Sequence, residues 1–218
     1  PGLRRADFEV IASQVSLPVE LRQGETGRWA SYLVQAVDEA YLEHIDYDLA
    51  IKAEGYETAA EIWQAVRQQR GYAIADRLAV PSRSTTSIMI GGPDFKLQGV
   101  YLEDESMQPI RVSVREPSSG ATFEVTIIGV LEQSAITGFG LVTSQETLEN
   151  ALPFEMPAPT YYVRLAEHAD AGQTSAALES AFLKNGLESI DQIEELREAL
   201  GQQYVFQYLL LGFLTVGL

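Results

Sequence analysis

Cysteine is absent from the 218 residues. That one absence removes disulfides, thiol catalysis and thiolate metal sites together. Histidine occurs only at His44 and His168, so imidazole chemistry has little to work with. Cations are the minority, with 15 Lys and Arg against 31 Asp and Glu and a net charge of −16. Nucleic-acid binding needs a basic face to neutralise phosphates, and docking on an anionic membrane surface needs the same. This chain predicts no nucleic-acid partner. Also missing are a G-x-S-x-G nucleophile elbow, an H-E-x-x-H pair, an N-terminal signal peptide and any internal repeat.

What is present begins with an ordinary apolar content of 46%, enough to bury a real core. The length suits one large or two small domains. One stretch stands apart. From Ala199 to Leu218 the chain reads ALGQQYVFQYLLLGFLTVGL, without a charge. Twenty helical residues span roughly 30 Å, about the thickness of a bilayer core. Leu209, Leu210, Leu211, Phe213, Leu214, Val216 and Leu218 surround such a helix instead of marking one stripe, as in a helix held in lipid or in protein. Gln202, Gln203 and Gln207 pull the other way, toward the last core helix of a globular domain. The chain opens at Pro1, without an initiator methionine. The expectation is an acidic, water-exposed domain cut from a longer integral membrane protein, with 201–218 the start of a transmembrane helix. Cytoplasmic flanks carry an excess of Lys and Arg, so the acidic balance suits the outer side.

Periodicity predicts mixed α and β structure. Two apolar runs, Phe8 to Ala12 and Leu17 to Leu21, read as short strands, and Ser31 to Val37 as another, followed by a short helix over 38–43. Thr58 to Gln69 reads as a helix. Thr58 and Glu61 form its capping box, Ile62, Trp63 and Val66 its apolar stripe, and Gly71 its left-handed exit. Tyr72 to Ala75 reads as a buried strand, and the Ser/Thr/Pro loop 81–86 as a boundary. Gly99 to Glu103, Ile110 to Arg115 and Thr122 to Leu131 read as strands, the last two joined in a hairpin by Glu116-Pro117-Ser118-Ser119-Gly120. Thr143 and Glu146 suggest a second capping box, and Pro153, Pro157 and Pro159 a linker. A strand over 161–165 precedes a helix over 171–184 that buries Leu178, Ala181 and Phe182 and ends at Asn185-Gly186. Ser189 and Gln192 suggest a third capping box, opening a last helix with Asp191, Glu194 and Glu195 in its first turns, where the dipole favours negative charge.

Candidate chemistry is sparse. Gly91-Gly92-Pro93-Asp94-Phe95-Lys96 imitates a phosphate loop, but the proline and the missing Ser/Thr favour a plain turn. Glu43, His44, Asp46 and Asp48 could offer metal ligands, yet zinc needs three or four at matched spacing, and no EF-hand loop follows Asp46 or Asp48. A solvated helix end is the simpler reading, and His168 reads as an exposed residue before a helix. Glu103-Asp104-Glu105 and Asp94 could serve as acid/base carboxylates, although mutual repulsion favours an exposed loop. Phe139 between Gly138 and Gly140 is either an exposed contact or a turn that plugs a core gap. No residue is assigned a catalytic, cofactor-binding or metal role, and no cofactor is expected.

Three stretches carry a family resemblance. They are YLVQAVDEAYLEHIDYDLA (Tyr32 to Ala50), VSVREPSSGATFEVTIIGVLE (Val112 to Glu132), and TYYVRLAEHADAGQTSAALESAFLKNGLESIDQIEE (Thr160 to Glu195) running on into FQYLLLGFLTVGL. Together they resemble the extracytoplasmic, periplasmic core domain of an FtsX-like, MacB-type ABC transporter permease. The resemblance implies an α+β fold with a porter-like α/β part formed by both ends of the chain and an inserted β-rich, sabre-like part. The corresponding boundaries are 1–95 and 155–200 for the porter-like halves and 96–154 for the insertion. It implies a non-enzymatic domain on the outer side of a bacterial cell membrane. A separate cytoplasmic ATPase subunit would act through the membrane helices, an envelope or extracellular protein would be the outer partner, and dimerisation in the full transporter stays open. The output would be export, lipoprotein extraction or mechanotransmission. The segment from Ala50 to Thr86 departs from the shortest members. Two other classes remain: an extracytoplasmic ligand-binding sensor domain, and a hydrolase whose carboxylates the fold assembles.

Overall fold

The computed structural model describes residues 3–45, 47–84, 93–132 and 140–191. The chain divides into two units, Val10–Val163 and Pro1–Glu9 with Arg164–Leu218. Among the described residues there are nine strands and four α-helices, in one mixed sheet. This is the α+β class expected.

The larger unit takes in β1 (Phe8–Arg22) from Val10 onward, one long strand where two short ones were expected. The reason is a change of phase. Val10 and Ala12 are buried in one alternation, Val15, Leu17, Val19 and Leu21 in the other. Between them Ser13 and Gln14 are both buried, which in sequence looks like a polar break. Burial of Ser13 is compensated by hydrogen bonds: its N–H and Oγ–H donate to Asp38 Oδ2 at 2.8 and 2.7 Å, and Gln145 donates to its Oγ at 3.1 Å.

β1 pairs antiparallel with β2 (Ala30–Val37). β2 runs parallel to β8 (Leu141–Ser144), which is antiparallel to β4 (Tyr72–Ala75). β4 runs parallel to β7 (Thr122–Leu131), β7 is antiparallel to β6 (Ile110–Arg115), and β6 returns antiparallel to β1. The pairings therefore close into a ring of strands. β3 (Leu49–Ala53) adds to β7, and β5 (Ser106–Met107) to β3.

Alternation sorts the side chains of this ring. Val19, Leu21, Val34, Ala73, Ala75, Val112, Ile127 and Leu141 share one core. Val37, Ile74, Ile128 and Val142 point to the opposite face and meet Leu42, Ile62, Trp63 and Val66, supplied by α1 (Glu39–His44) and α2 (Ala59–Gln68). β4 reads as a continuous apolar run because both its faces are covered. Each fully buried Ile or Val in these layers contributes roughly 1.5–3 kcal/mol relative to exposure.

α2 starts as predicted. Thr58 Oγ1 accepts from the Glu61 N–H at 3.2 Å, and Glu61 Oε2 accepts from the Thr58 N–H at 3.2 Å. The buried Trp63 donates its ring N–H to the Tyr47 carbonyl at 3.0 Å. Gly71 leaves the helix with φ +81°. The β6–β7 hairpin is also as predicted. Glu116 accepts the Ser118 and Ser119 N–H groups at 2.8 and 2.6 Å, and Gly120 has φ +72°.

Three further expectations are corrected, and two strands are added. Gly99 to Glu103 is not a strand: Gly99 has φ +87°, and the Asp104 N–H donates to the Tyr101 carbonyl at 3.0 Å, making a turn. Thr143 does not cap a helix. It belongs to β8 and donates to the Tyr72 carbonyl at 2.7 Å, while α3 (Gln145–Ala151) starts after Ser144 and Glu146 pairs with Arg70. β3 and β8 were not foreseen. In the smaller unit, α4 (Ala171–Phe182) is capped by Asp170, which accepts the Gln173 N–H at 2.7 Å. Its expected buried stripe is absent, since Leu178 is only half-buried and Ala181 and Phe182 are exposed. The exit at Gly186 has φ +71°, as predicted.

β9 (Thr160–Leu165) pairs with β1. In the smaller unit, just past the strand ends, the Ala166 N–H donates to the Asp7 carbonyl at 3.0 Å. Among the described residues, no helix is long and apolar enough to cross a membrane. The expected membrane segment 201–218, the last helix and the Gln192 side of its capping box lie outside the described residues.

Candidate functional site

The most strongly built polar site was not foreseen from the sequence. Asp76 follows β4 and is buried. Its Oδ2 accepts from the Tyr32 hydroxyl at 2.6 Å and from the Gly140 N–H. Its Oδ1 accepts from the Leu78 and Ala79 N–H groups at 2.6 and 3.1 Å. These donors are all neutral. Four of them use up roughly the whole acceptor capacity of a carboxylate, so the group serves as an anchor. Burial, then the charge of Asp76 and the bond to it, hold the Tyr32 phenol far above its ordinary value. The Tyr32 ring also meets Phe95 edge-on at 5.6 Å. Gly140 sits with φ +135°, and a Cβ there would lie 2.9 Å from the Leu33 carbonyl oxygen. The local signal in sequence was slight: an aspartate directly after an apolar strand, followed by Arg-Leu-Ala.

A second cluster is aromatic. Tyr41 on α1 meets Tyr162 on β9 edge-on at 5.6 Å, with Tyr47 beside them. Burial raises the hydroxyls of Tyr41 and Tyr162, and the neighbouring Tyr47 adds to it. A third is cationic. The Arg22 and Arg115 guanidinium carbons lie 4.6 and 4.4 Å from the Trp29 ring centre. Two Arg115 nitrogens also engage Glu20 Oε2 at 2.6 and 2.7 Å. Such contacts fix the ends of β1 and β6.

The residues weighed from the sequence are scattered. Gly91 and Gly92 lie outside the described residues. Phe95 is buried, and Lys96 Nζ donates to the Leu78 carbonyl at 2.6 Å, so the lysine ties the loop to the turn after Asp76. Asp94 is exposed. His44 is exposed, with Nδ1 2.9 Å from the Ala40 carbonyl. Glu43 and Asp48 are exposed too, and Asp46 lies outside the described residues. His168 is exposed and stands 3.6 Å from Asp7. Among the described residues, no group of three or more His, Asp or Glu could hold a metal ion.

In the acidic run 103–105, Glu103 and Asp104 staple the loop and Glu105 is exposed. Glu103 accepts from the Ser82 hydroxyl and the Arg83 N–H, and Asp104 accepts from Arg83 at 2.6 Å and from the Tyr101 N–H at 2.9 Å. The Ser82 hydroxyl holds the Glu103 carboxyl below its ordinary value, and Arg83 does the same for Asp104. Groups shifted that way are poor general acids near neutrality. Gly138 and Phe139 lie outside the described residues, and their neighbour Gly140 is bound to the Asp76 anchor.

No protein-family model and no curated protein matches the chain. Solved structures do. The periplasmic region of MacB from Actinobacillus actinomycetemcomitans is 13% identical with a TM-score of 0.50, covering 91% of this chain and 78% of that one. The extracellular domain of the noncanonic ABC-type transporter YknZ from Gram-positive bacteria is 10% identical with a TM-score of 0.49, covering 85% and 82%. At such identity the likeness concerns the fold. The chain has the α+β fold of the MacB periplasmic region, and the resemblance read from the sequence is met at that level.

Proposed function

We propose that this chain is the extracytoplasmic domain of an ABC transporter permease. It couples ATP-driven motion of membrane helices to an outer partner or substrate, for export, lipoprotein extraction or force transmission. The carrying observation is the MacB-like fold across 91% of the chain, in a molecule whose uncharged stretch Ala199–Leu218 has the composition of a membrane segment. In this reading the domain binds no nucleotide and carries out no chemistry of its own. The energy comes from a separate cytoplasmic ATPase, and the domain stands outside a bacterial cell membrane. The porter-like part comprises 1–95 and 155–200, with 96–154 as its β-rich insertion.

Coupling of this kind needs a stiff connection, and a glycine-rich linker absorbs tilt where a continuous helix conveys it. The test is an insertion of several glycines beside Gly201 in the full-length permease. Transport or partner activation is lost while the purified domain keeps its unfolding midpoint. Full activity after the insertion overturns the proposal.

A further inference from the structure

We propose that the Trp29 indole and the Arg22 guanidinium form a docking point for an acidic, extended segment of another protein. Both residues belong to the larger unit. The pairing of β1 with β2 ends at Leu21 opposite Ala30, so Arg22 and Trp29 stand opposite each other one step beyond it. The Arg22 guanidinium lies over the Trp29 ring, and that of Arg115 on β6 lies over the same ring. Trp29 is only half-buried.

The two guanidiniums are not equivalent. Arg115 has a counter-ion in Glu20, its partner across the β1–β6 pairing. Among the described residues Arg22 has no ion-pair partner, and its Nε is the one buried side-chain nitrogen or oxygen without a hydrogen bond. The carboxylates close to it in register are committed elsewhere: Glu20 to Arg115, Glu124 to Arg111, and Glu116 to the Ser118 and Ser119 N–H groups. Glu25 and Arg28, in the turn 23–29 that joins the strands, are both exposed. Arg22 is thus partly stripped of water and held on an indole, without the carboxylate that Arg115 has.

That combination selects an anion carried on a chain. Stacking on the indole fixes the planar fork of donors, so little ordering cost is left when a carboxylate binds. Trp and Arg are also the side chains that most often dominate binding between proteins. An anionic lipid surface fits less well, because it is broad and meets the field of the whole molecule, which carries −16. A second copy of the chain brings the same repulsion. A short segment feels chiefly the charges within roughly 8 Å in physiological salt, so it can use Arg22 and Arg115 locally. The inference names the kind of outer partner in the coupling reading. It rests on that reading only for its physiological meaning, because binding is measured on the chain without ATPase or membrane helices in motion.

The probe is an end-blocked peptide of alternating glutamate and serine carrying a fluorophore, titrated into the 218-residue chain and followed by anisotropy. Control peptides carry lysine or glutamine in place of glutamate. The glutamate peptide binds saturably, and the controls do not. Arg22→Gln weakens that binding about tenfold, the scale of one charge-assisted hydrogen bond. Arg67→Gln on α2, which removes the same charge elsewhere, leaves it unchanged. Glu20→Gln removes the competing carboxylate and tightens binding a few-fold. Damage to the strand ends would weaken binding in both the Arg22 and the Glu20 variant, so the opposite signs separate a contact from a loss of fold. Equal weakening by Arg67→Gln, no tightening by Glu20→Gln, or equal binding of a control overturns the proposal. So does Arg22-dependent binding of phosphatidylglycerol vesicles without binding of the glutamate peptide, which assigns the point to a membrane. Self-association that Arg22→Gln abolishes overturns it as well and assigns the point to a second copy.

Discussion

Replacing Asp76 by asparagine changes one atom's chemistry and tests the anchor at its centre. The carboxylate accepts from Tyr32, Gly140, Leu78 and Ala79. An asparagine oxygen can serve only one pair of these donors. If the amide nitrogen takes the Oδ2 position, the Tyr32 hydroxyl can rotate to accept from it, but the Gly140 N–H faces a donor. The loss is then one charge-assisted bond, about 1.5–3 kcal/mol, plus one buried unsatisfied N–H, about 1–3 kcal/mol. The flipped amide orphans the Leu78 and Ala79 N–H groups instead. A destabilisation of about 3 kcal/mol is expected for Asp76→Asn. At about 2–4 °C per kcal/mol for a chain of this size, the melting midpoint falls by about 6–12 °C. Tyr32→Phe costs less, about 1.5–2 kcal/mol, because three donors remain on the carboxylate. Urea unfolding of both single variants and the double variant measures this. The double variant should cost less than the sum, since the Tyr32–Asp76 bond can be lost only once. A Tyr32→Phe/Asp76→Asn pair that is strictly additive, or Asp76→Asn within about 0.5 kcal/mol of the parent, refutes the anchor.

Trp63→Ala removes a side chain only 4% exposed and its bond to Tyr47, so it should cost about 3–5 kcal/mol in chemical denaturation. Thr58→Ala breaks the capping box of α2 and should cost about 1 kcal/mol by the same assay, with serine restoring most of it. Hydrogen bonds from Ser119 and from the Ser118 and Ser119 N–H groups hold the Glu116 carboxyl down to about 2, from an ordinary 4.5. Because the folded value is the lower one, the stabilisation is present above pH 4.5 and is lost as pH falls toward 2. Glu116→Gln should therefore flatten that part of the stability–pH curve, and an unchanged acid limb contradicts the hairpin bonding.

The β6–β7 hairpin was legible in sequence because one face is wet, so Ile110, Val112 and Val114 alternate cleanly with Arg111, Ser113 and Arg115. α2 was legible because a capping box, an apolar stripe and an exit glycine agree. β1 was split because its alternation changes phase at Ser13 and Gln14, and only the distant Asp38 and Gln145 explain why those residues are buried. β8 was hidden because all four of its residues are buried, which erases any pattern, and its Thr143 imitates a cap. The stripe of α4 exists in the sequence, yet Phe182 remains 45% exposed. The Asp76 site could not be read locally, because Tyr32 lies 44 residues before it and Gly140 64 after. The candidates that sequence did suggest were carboxylates and histidines on solvated turns and a helix end, where charge patterning alone places them.

The geometry of β1 decides how the larger unit responds to tension. β1 lies antiparallel along β2 from Gln14 opposite Val37 to Leu21 opposite Ala30, and its far end is also gripped by β6. A tug directed along β1 must slide the strand lengthwise, which strains all of those backbone bonds together. Peeling it sideways would break them one after another. Because the strand is held on both flanks near Leu21, a lengthwise tug finds no loose end from which to unzip the sheet. A lengthwise load on β1 is therefore shared by its pairings with β2 and β6 at once.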